Sequence, residues 1–490
     1  MRSNKPRYPM WLVCVISLFI TLQGCSVNPA TGEQDLVLMS ESQEIALGRA
    51  GHAEILQEYK QYPDHNLSTY VQKIGERVAK NSHRDDIIYR FTVLDSAEVN
   101  AFALPGGYIY ITRGILAYLN SEDELAAVLA HEIGHVTARH AVRRHSTATL
   151  TGIAGAILAS QSGVHGAGDI VNVLGTALVR GYGREHELEA DRLGANYLAR
   201  AGYDPESMID VVRLLKNQEL FEQELARVEQ RKPRTYHGLF STHPDNDQRL
   251  QSVIRASKTI SPSGNTVKKS RGEFLTMLNG VTYGPASSEG VIRGARFYHQ
   301  ELNFSIEFPA RWHINNEPNR VVATSPDNDG LVALTVHERN RRIPPKQFMQ
   351  DRLNLSRLHS EESIDHDGMQ GHTALVRTDT DYGERLARVI VLYYGNRAFV
   401  IAGAGKDSGR PYRYDSVILQ TAKTFRELQA NERSLSAPRK IAVLNYEGES
   451  YGALAKRSGL NHLAEAQIRL LNGHYPGGAP AKGDLIKTIE

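Results

Sequence analysis

The pentapeptide His131-Glu132-Ile133-Gly134-His135 constrains the fold more than any other feature of this chain. It lies where a helix must run. Ser121-Glu122-Asp123-Glu124 reads as a capping box with acids in the first turn. Leu125, Ala126, Val128, Leu129, Ile133 and Val136 follow with no Gly or Pro before Gly134. Residues four apart on a helix lie one above the other, so His131 and His135 share a face. Two imidazoles so placed can bind one Zn²⁺. Glu132 then stands where it could take a proton from the attacking water. The fold must therefore bury a helix and bring a third ligand to it.

The third ligand should be an acid or a His on a second helix. Downstream lies Gly183-Arg184-Glu185-His186-Glu187-Leu188-Glu189-Ala190-Asp191. Glu187, Asp191, Gly194, Leu198 and Ala201 form one stripe at helical spacing, small and apolar beyond its two acids. That stripe should face the interior, because an unpaired buried charge is strongly disfavoured and these two acids need a partner. We expect Glu187 as the ligand and Asp191 as the residue that orients a ligand His. Glu189 is about 200° around the helix from that face and reads as a solvated charge. Glu185 and His186 also fall off the stripe.

These motifs, with Ser241-Thr242-His243-Pro244, Arg249 and the stretch Asn100-Ala101-Phe102-Ala103-Leu104-Pro105-Gly106-Gly107, resemble the M48 family of zinc metallopeptidases. The resemblance covers residues 40 to 258. It implies an α+β, zincin-like protease domain, mostly helical with a small sheet, and one Zn²⁺ per chain. It implies His131, His135 and Glu187 as ligands, Glu132 as general base and Asp191 behind a ligand. His243 is similar to a family His near the metal, which caps it at rest or supports the intermediate. Arg249 corresponds to a residue for substrate or oxyanion. Asn100 precedes a strand that would pair with extended substrate, a mode in which main-chain hydrogen bonds supply affinity.

The first residues bear on location. Arg2, Lys5 and Arg7 precede an apolar run from Trp11 to Leu22, too short for a confident spanning helix, and together they read as a secretory signal. Leu22-Gln23-Gly24-Cys25 resembles a bacterial lipobox, with cleavage before Cys25 and lipid on its sulfur. Ser26 resembles the residue of lipoproteins that reach the periplasmic face of the outer membrane. The cysteines are Cys14 and Cys25, so no disulfide is expected within the processed chain. The net charge of +2 becomes −1 once the three signal bases are removed, which argues against nucleic acid as a partner.

The organisation expected is a signal peptide over 1–24, a lipidated tether over 25–48 and a protease domain over 49–258. A linker over 259–289 leads to an α/β domain over 290–428 that resembles Mog1/PsbP-like folds, with Trp312 in its core. His299, His313, His337, His359, His366 and His372 lie scattered there, not at ligand spacing. Residues 429–437 form a second linker. Residues 438–490 read as strand, helix, helix, strand and resemble a LysM module, a family that binds peptidoglycan. Glu449-Ser450 and the insert His474-Tyr475-Pro476-Gly477-Gly478 depart from that pattern. The Gly-rich stretch Thr147 to Gly183 reads as two short helices around a break. Together these readings predict an envelope protease that cleaves misfolded or misassembled proteins. The competing reading is a peptidoglycan-docked chaperone or assembly factor whose protease is mostly autoinhibited, and a third is a zinc store.

Overall fold

The structure is a computed structural model. It describes residues 25–149, 182–229, 233, 249, 251–254, 271–317, 319–460 and 462–490. The signal peptide, most of the Gly-rich stretch and His243 lie outside the described residues. The chain divides into two compact units, one of residues up to Gly284 with Arg439–Glu490, the other Pro285–Pro438.

The first unit is built around the helix Glu122–Thr137, buried over nearly its whole length. Its start follows the capping logic in part. The Ser121 hydroxyl accepts from the Glu124 N–H, but the Glu124 carboxylate accepts from Asn120 N–H at 2.7 Å and not from the cap residue. The helix Arg184–Ala201 packs against it. Glycines set how closely the two approach. A Cβ at Gly134 would lie 2.8 Å from the Ala190 carbonyl oxygen, and one at Gly194 would lie 3.1 Å from His131 N. Side chains there would separate the helices and pull the acids of one away from the histidines of the other.

A three-stranded sheet lies beside the central helix, in the order Arg90–Leu94, Tyr108–Thr112, Ala101–Leu104. The first pair is parallel and the second antiparallel. The hairpin turns on Gly106 and Gly107, with φ of 74° and 90°, values that L side chains rarely adopt. Ala101–Leu104 is thus an edge strand, packed against the central helix.

The stretch expected to be a tether is structured from Cys25 onward. Cys25–Val27 pairs antiparallel with Gln34–Leu36, and a helix runs from Glu41 to Glu58. The reason is local and electrostatic. Ser40 and Gln43 form a capping box, and buried Glu44 pairs with Arg84 at 2.7 Å and Arg139 at 2.9 Å.

Residues 439–490 have the expected element order: strand Arg439–Asn445, helices Tyr451–Arg457 and Ala464–Leu471, strand Leu485–Ile489. They do not stand apart from the protease unit. Arg439 and Lys440 pair with Tyr283 and Thr282 in a strand register. Lys487, wholly buried, donates through Nζ to the carbonyls of Ala117 and Leu119, at 2.6 Å each. Burial holds its pKa well below the usual lysine value, and desolvation of the half-buried Glu124 raises that carboxyl to about 7. Among the described residues of both units, no helix is long and apolar enough to cross a membrane.

The second unit holds a seven-stranded antiparallel sheet and a separate four-stranded one. Phe304, Phe399, Phe425 and Ile418 belong to one core. Phe348, Met349, Val376 and Val389 belong to another. Trp312 packs edge-on to Tyr414, half-buried against the first core. A short helix runs from Pro345 to Asp351.

Candidate metal centre

His131, His135 and Glu187 converge, all buried, and are the one group of three or more potential ligands found among the described residues. Their facing atoms form a small triangle. His131 Nε2 lies 3.0 Å from His135 Nε2 and 3.5 Å from Glu187 Oε2, and His135 Nε2 lies 3.4 Å from Glu187 Oε1. Ligands in a tetrahedral site with bonds of about 2.0–2.1 Å sit roughly 3.3–3.4 Å apart, so this triangle is the right size for one face of such a site. The donor set, two imidazoles and a carboxylate, suits a borderline metal ion. Glu132 is wholly buried on the same helix.

Behind His131 stands an ionic pair. Asp191 Oδ1 lies 2.8 Å from His131 Nδ1. Arg249 grips Asp191 with both arms, Nε to Oδ2 at 2.8 Å and Nη2 to Oδ1 at 2.7 Å. Burial would raise the Asp191 pKa, but the Arg249 and His131 partners hold it at about 2. For His131, burial pushes the pKa down and Asp191 more than reverses it, to about 9. Arg249 is itself buried, and the charge of Asp191 overcomes that burial and raises its pKa. Two of its nitrogens are committed to Asp191. Its Nη1 lies 3.4 Å from Glu187 Oε2.

His135, the second candidate ligand, has a support that the sequence did not reveal. His135 Nδ1 lies 2.8 Å from His140 Nδ1, and His140 Nε2 lies 3.1 Å from Glu189 Oε2. Glu189, expected to be solvated, is therefore engaged, and Arg143 also donates to it at 3.0 Å. Burial raises its pKa, but those partners hold it at about 2. Helical geometry does put Glu189 away from Glu187. The chain beyond Thr137 fills that side, so the acid helix has protein on both faces. The turn is made at Arg139, which has φ of 53° and is held by Glu44 and by the Met39 carbonyl. Burial lowers the pKa values of His135 and His140. Tyr182 stacks on the His135 ring at 4.1 Å and His186 on His140 at 4.3 Å. Only the surplus of His in this region hinted at such a cluster.

Asn100 is buried at the head of the edge strand. Its N–H donates to Thr112 Oγ1 at 3.2 Å, and its carbonyl accepts from the Thr112 N–H at 3.0 Å. A small cavity is lined by Ala103, Leu104, Pro105, His135 and Tyr182.

Comparison with known proteins agrees with this geometry. Residues 66–256 match the model of peptidase family M48. The beta-barrel assembly-enhancing protease of Yersinia pestis is 28% identical over 48% of this chain and 48% of its own length. The mitochondrial metalloendopeptidase OMA1 of Saccharomyces cerevisiae is 28% identical over 49% of this chain and 73% of its own. The chain spans about half the length, or less, of the first curated relatives it matches. Among solved structures, cyanobacterial PsbP of Synechocystis is 16% identical over 28% of this chain and 96% of that one, at a TM-score of only 0.22. Residues 66–256 are thus similar to peptidase family M48 and form a metalloprotease domain of that kind.

Proposed function

We propose that the chain is a zinc-dependent endopeptidase of the bacterial envelope that cleaves misfolded or misassembled proteins. The observation that carries this is the triangle of His131 Nε2, His135 Nε2 and a Glu187 oxygen, with Glu132 buried on the same helix. A bound zinc ion would polarise the scissile carbonyl and acidify a water. His131, His135 and Glu187 would hold it. Asp191, pinned by Arg249, keeps the His131 ring turned so that Nε2 faces inward. Glu132 takes the proton of the attacking water and later delivers it to the leaving amine. The edge strand Ala101–Leu104 offers main-chain groups to an extended substrate, which favours unfolded over folded partners.

The envelope location rests on the signal and lipobox pattern ending at Cys25, and on relatives named beta-barrel assembly-enhancing proteases. Lipid on Cys25 would anchor the chain to the membrane. For residues 439–490, the buried bonds of Lys487 to the protease unit support a structural role ahead of peptidoglycan binding.

The test is Glu132→Gln in the full chain. It should keep its metal and lose hydrolysis of an unfolded protein such as casein by about 10²–10⁴-fold, the usual cost of removing a general base. A rate within a few-fold of wild type would end the general-base assignment.

A further inference from the structure

We propose that His140 and Glu189 are a positioning pair that fixes the tautomer of His135, so that His135 turns a bare Nε2 toward the metal. This deepens the zinc reading above and rests on it. The argument is one of donors and acceptors. A carboxylate only accepts hydrogen bonds, so the 3.1 Å contact to Glu189 requires the proton of His140 to sit on Nε2. Arg143, at 3.0 Å, already balances the Glu189 charge, so His140 has no need to be a cation. A neutral His140 protonated on Nε2 has a lone pair on Nδ1. The 2.8 Å contact with His135 Nδ1 is then a hydrogen bond in which His135 donates. A neutral His135 with its proton on Nδ1 has a bare Nε2.

The same logic holds on the other side. Asp191 can only accept, so His131 carries a proton on Nδ1 and, when neutral, is also bare at Nε2. The two Nε2 atoms, 3.0 Å apart, then face each other as two acceptors. A proton on His131 Nε2 relieves that arrangement by donating to the His135 lone pair, and a metal cation held by both lone pairs can take that proton's place. Each ligand His is thus oriented by its own carboxylate, Asp191 directly and Glu189 through one more imidazole.

Further contacts hold the relay in place. Arg143 bridges Glu189 and Asp35, the latter at 3.3 Å. The backbone turn at Arg139 brings His140 back onto His135. Stacking of Tyr182 on His135 and of His186 on His140 fixes both ring planes.

The experiment uses the full chain and reads tautomer and zinc affinity, not turnover. In metal-free protein labelled with ¹⁵N-histidine, two-bond ¹H–¹⁵N correlations should show His135 protonated on Nδ1. Glu189→Ala and His140→Phe should shift His135 toward a tautomer mixture. They should also weaken zinc binding, measured by competition with a chromophoric chelator, by about 10–100-fold. Glu189→Gln, whose amide oxygen can still accept from His140, should stay within several-fold of wild type. That rescue separates positioning from simple packing loss, and Glu189→Ala against Glu189→Gln suffices if His140→Phe does not fold. An Nε2-protonated His135 in the wild type would overturn the proposal. So would zinc affinity in Glu189→Ala equal to wild type while His135→Ala loses the metal. If the wild type binds no zinc at all, the zinc reading fails instead, and the tautomer measurement still judges the pair.

Discussion

Replacing Arg249 with Leu should destabilise the metal-free protein severely, and replacing Asp191 with Asn as well should recover much of the loss. Asp191 is 1% exposed and Arg249 2%, so neither charge is hydrated. The pair is joined by two hydrogen bonds of 2.7 and 2.8 Å. Removing one member of a buried pair typically costs about 3–5 kcal/mol, because the other charge stays buried without its partner. Here His131 lies 2.8 Å from Asp191 and still donates its Nδ1–H to that carboxylate, which in turn raises the His131 pKa. It offsets part of the loss, so the lower end of that range, about 3 kcal/mol, is expected. For a unit of this size, that corresponds to a fall of roughly 4–6 °C in Tm. The double variant Asp191→Asn/Arg249→Leu carries neither charge and should be more stable than Arg249→Leu alone. The assay is a double-mutant cycle by urea and thermal unfolding of metal-free protein at pH 7, with a coupling energy of at least 1.5 kcal/mol expected, within the range of about 0.5–3 kcal/mol for groups in contact. An Arg249→Leu cost below about 1 kcal/mol, or strict additivity, would refute the reasoning, since it would mean that Asp191 is solvated or protonated at neutral pH.

Three further outcomes follow from other parts of the structure. The Asp191 carboxyl titrates at about 2 in the fold against an unfolded value of 3.8, so its contribution of about 2 kcal/mol is full above 3.8 and is lost as pH falls through 2. The stability gap between wild type and Asp191→Asn should therefore narrow between pH 5 and pH 2.5, and a gap that widens on acidification would contradict the assignment. Truncation after Pro438 should lower the unfolding midpoint of the protease unit, because it removes Lys487 from the carbonyls of Ala117 and Leu119 and leaves Thr282–Tyr283 without its partner strand; a truncated protein as stable as the full chain would show residues 439–490 to be an independent module. Cys25→Ser should move the protein from the membrane to the soluble envelope fraction or leave it unprocessed, and a processed variant that still sediments with the membrane would rule out lipid as the anchor.

Helical periodicity made half of the site legible. His131 and His135 one turn apart, and Glu187 and Asp191 on one stripe, are relations within single helices, and a regular period carries them. The same wheel misjudged Glu189. It gives the angle between side chains and says nothing about what packs on the far side. There the answer depended on the left-handed turn at Arg139, which is made by a residue other than Gly and held by Glu44 from a distant helix. The role of Arg249 was similarly hidden, since its partner is set by packing, not by its distance from His243 in the sequence. The strand and helix order of residues 439–490 was readable from local pattern. Their incorporation into the protease unit was not, because it rests on pairing between Thr282–Tyr283 and Arg439–Lys440.

The central claim is that His131, His135 and Glu187 hold one metal ion. Anomalous scattering from a zinc-loaded crystal, measured on both sides of the zinc absorption edge, tests it most directly. The account predicts one strong peak per chain, about 2.0–2.2 Å from His131 Nε2, His135 Nε2 and a Glu187 carboxylate oxygen. A zinc-loaded crystal with no peak within bonding distance of those three atoms, or with its peak on other residues, would contradict it.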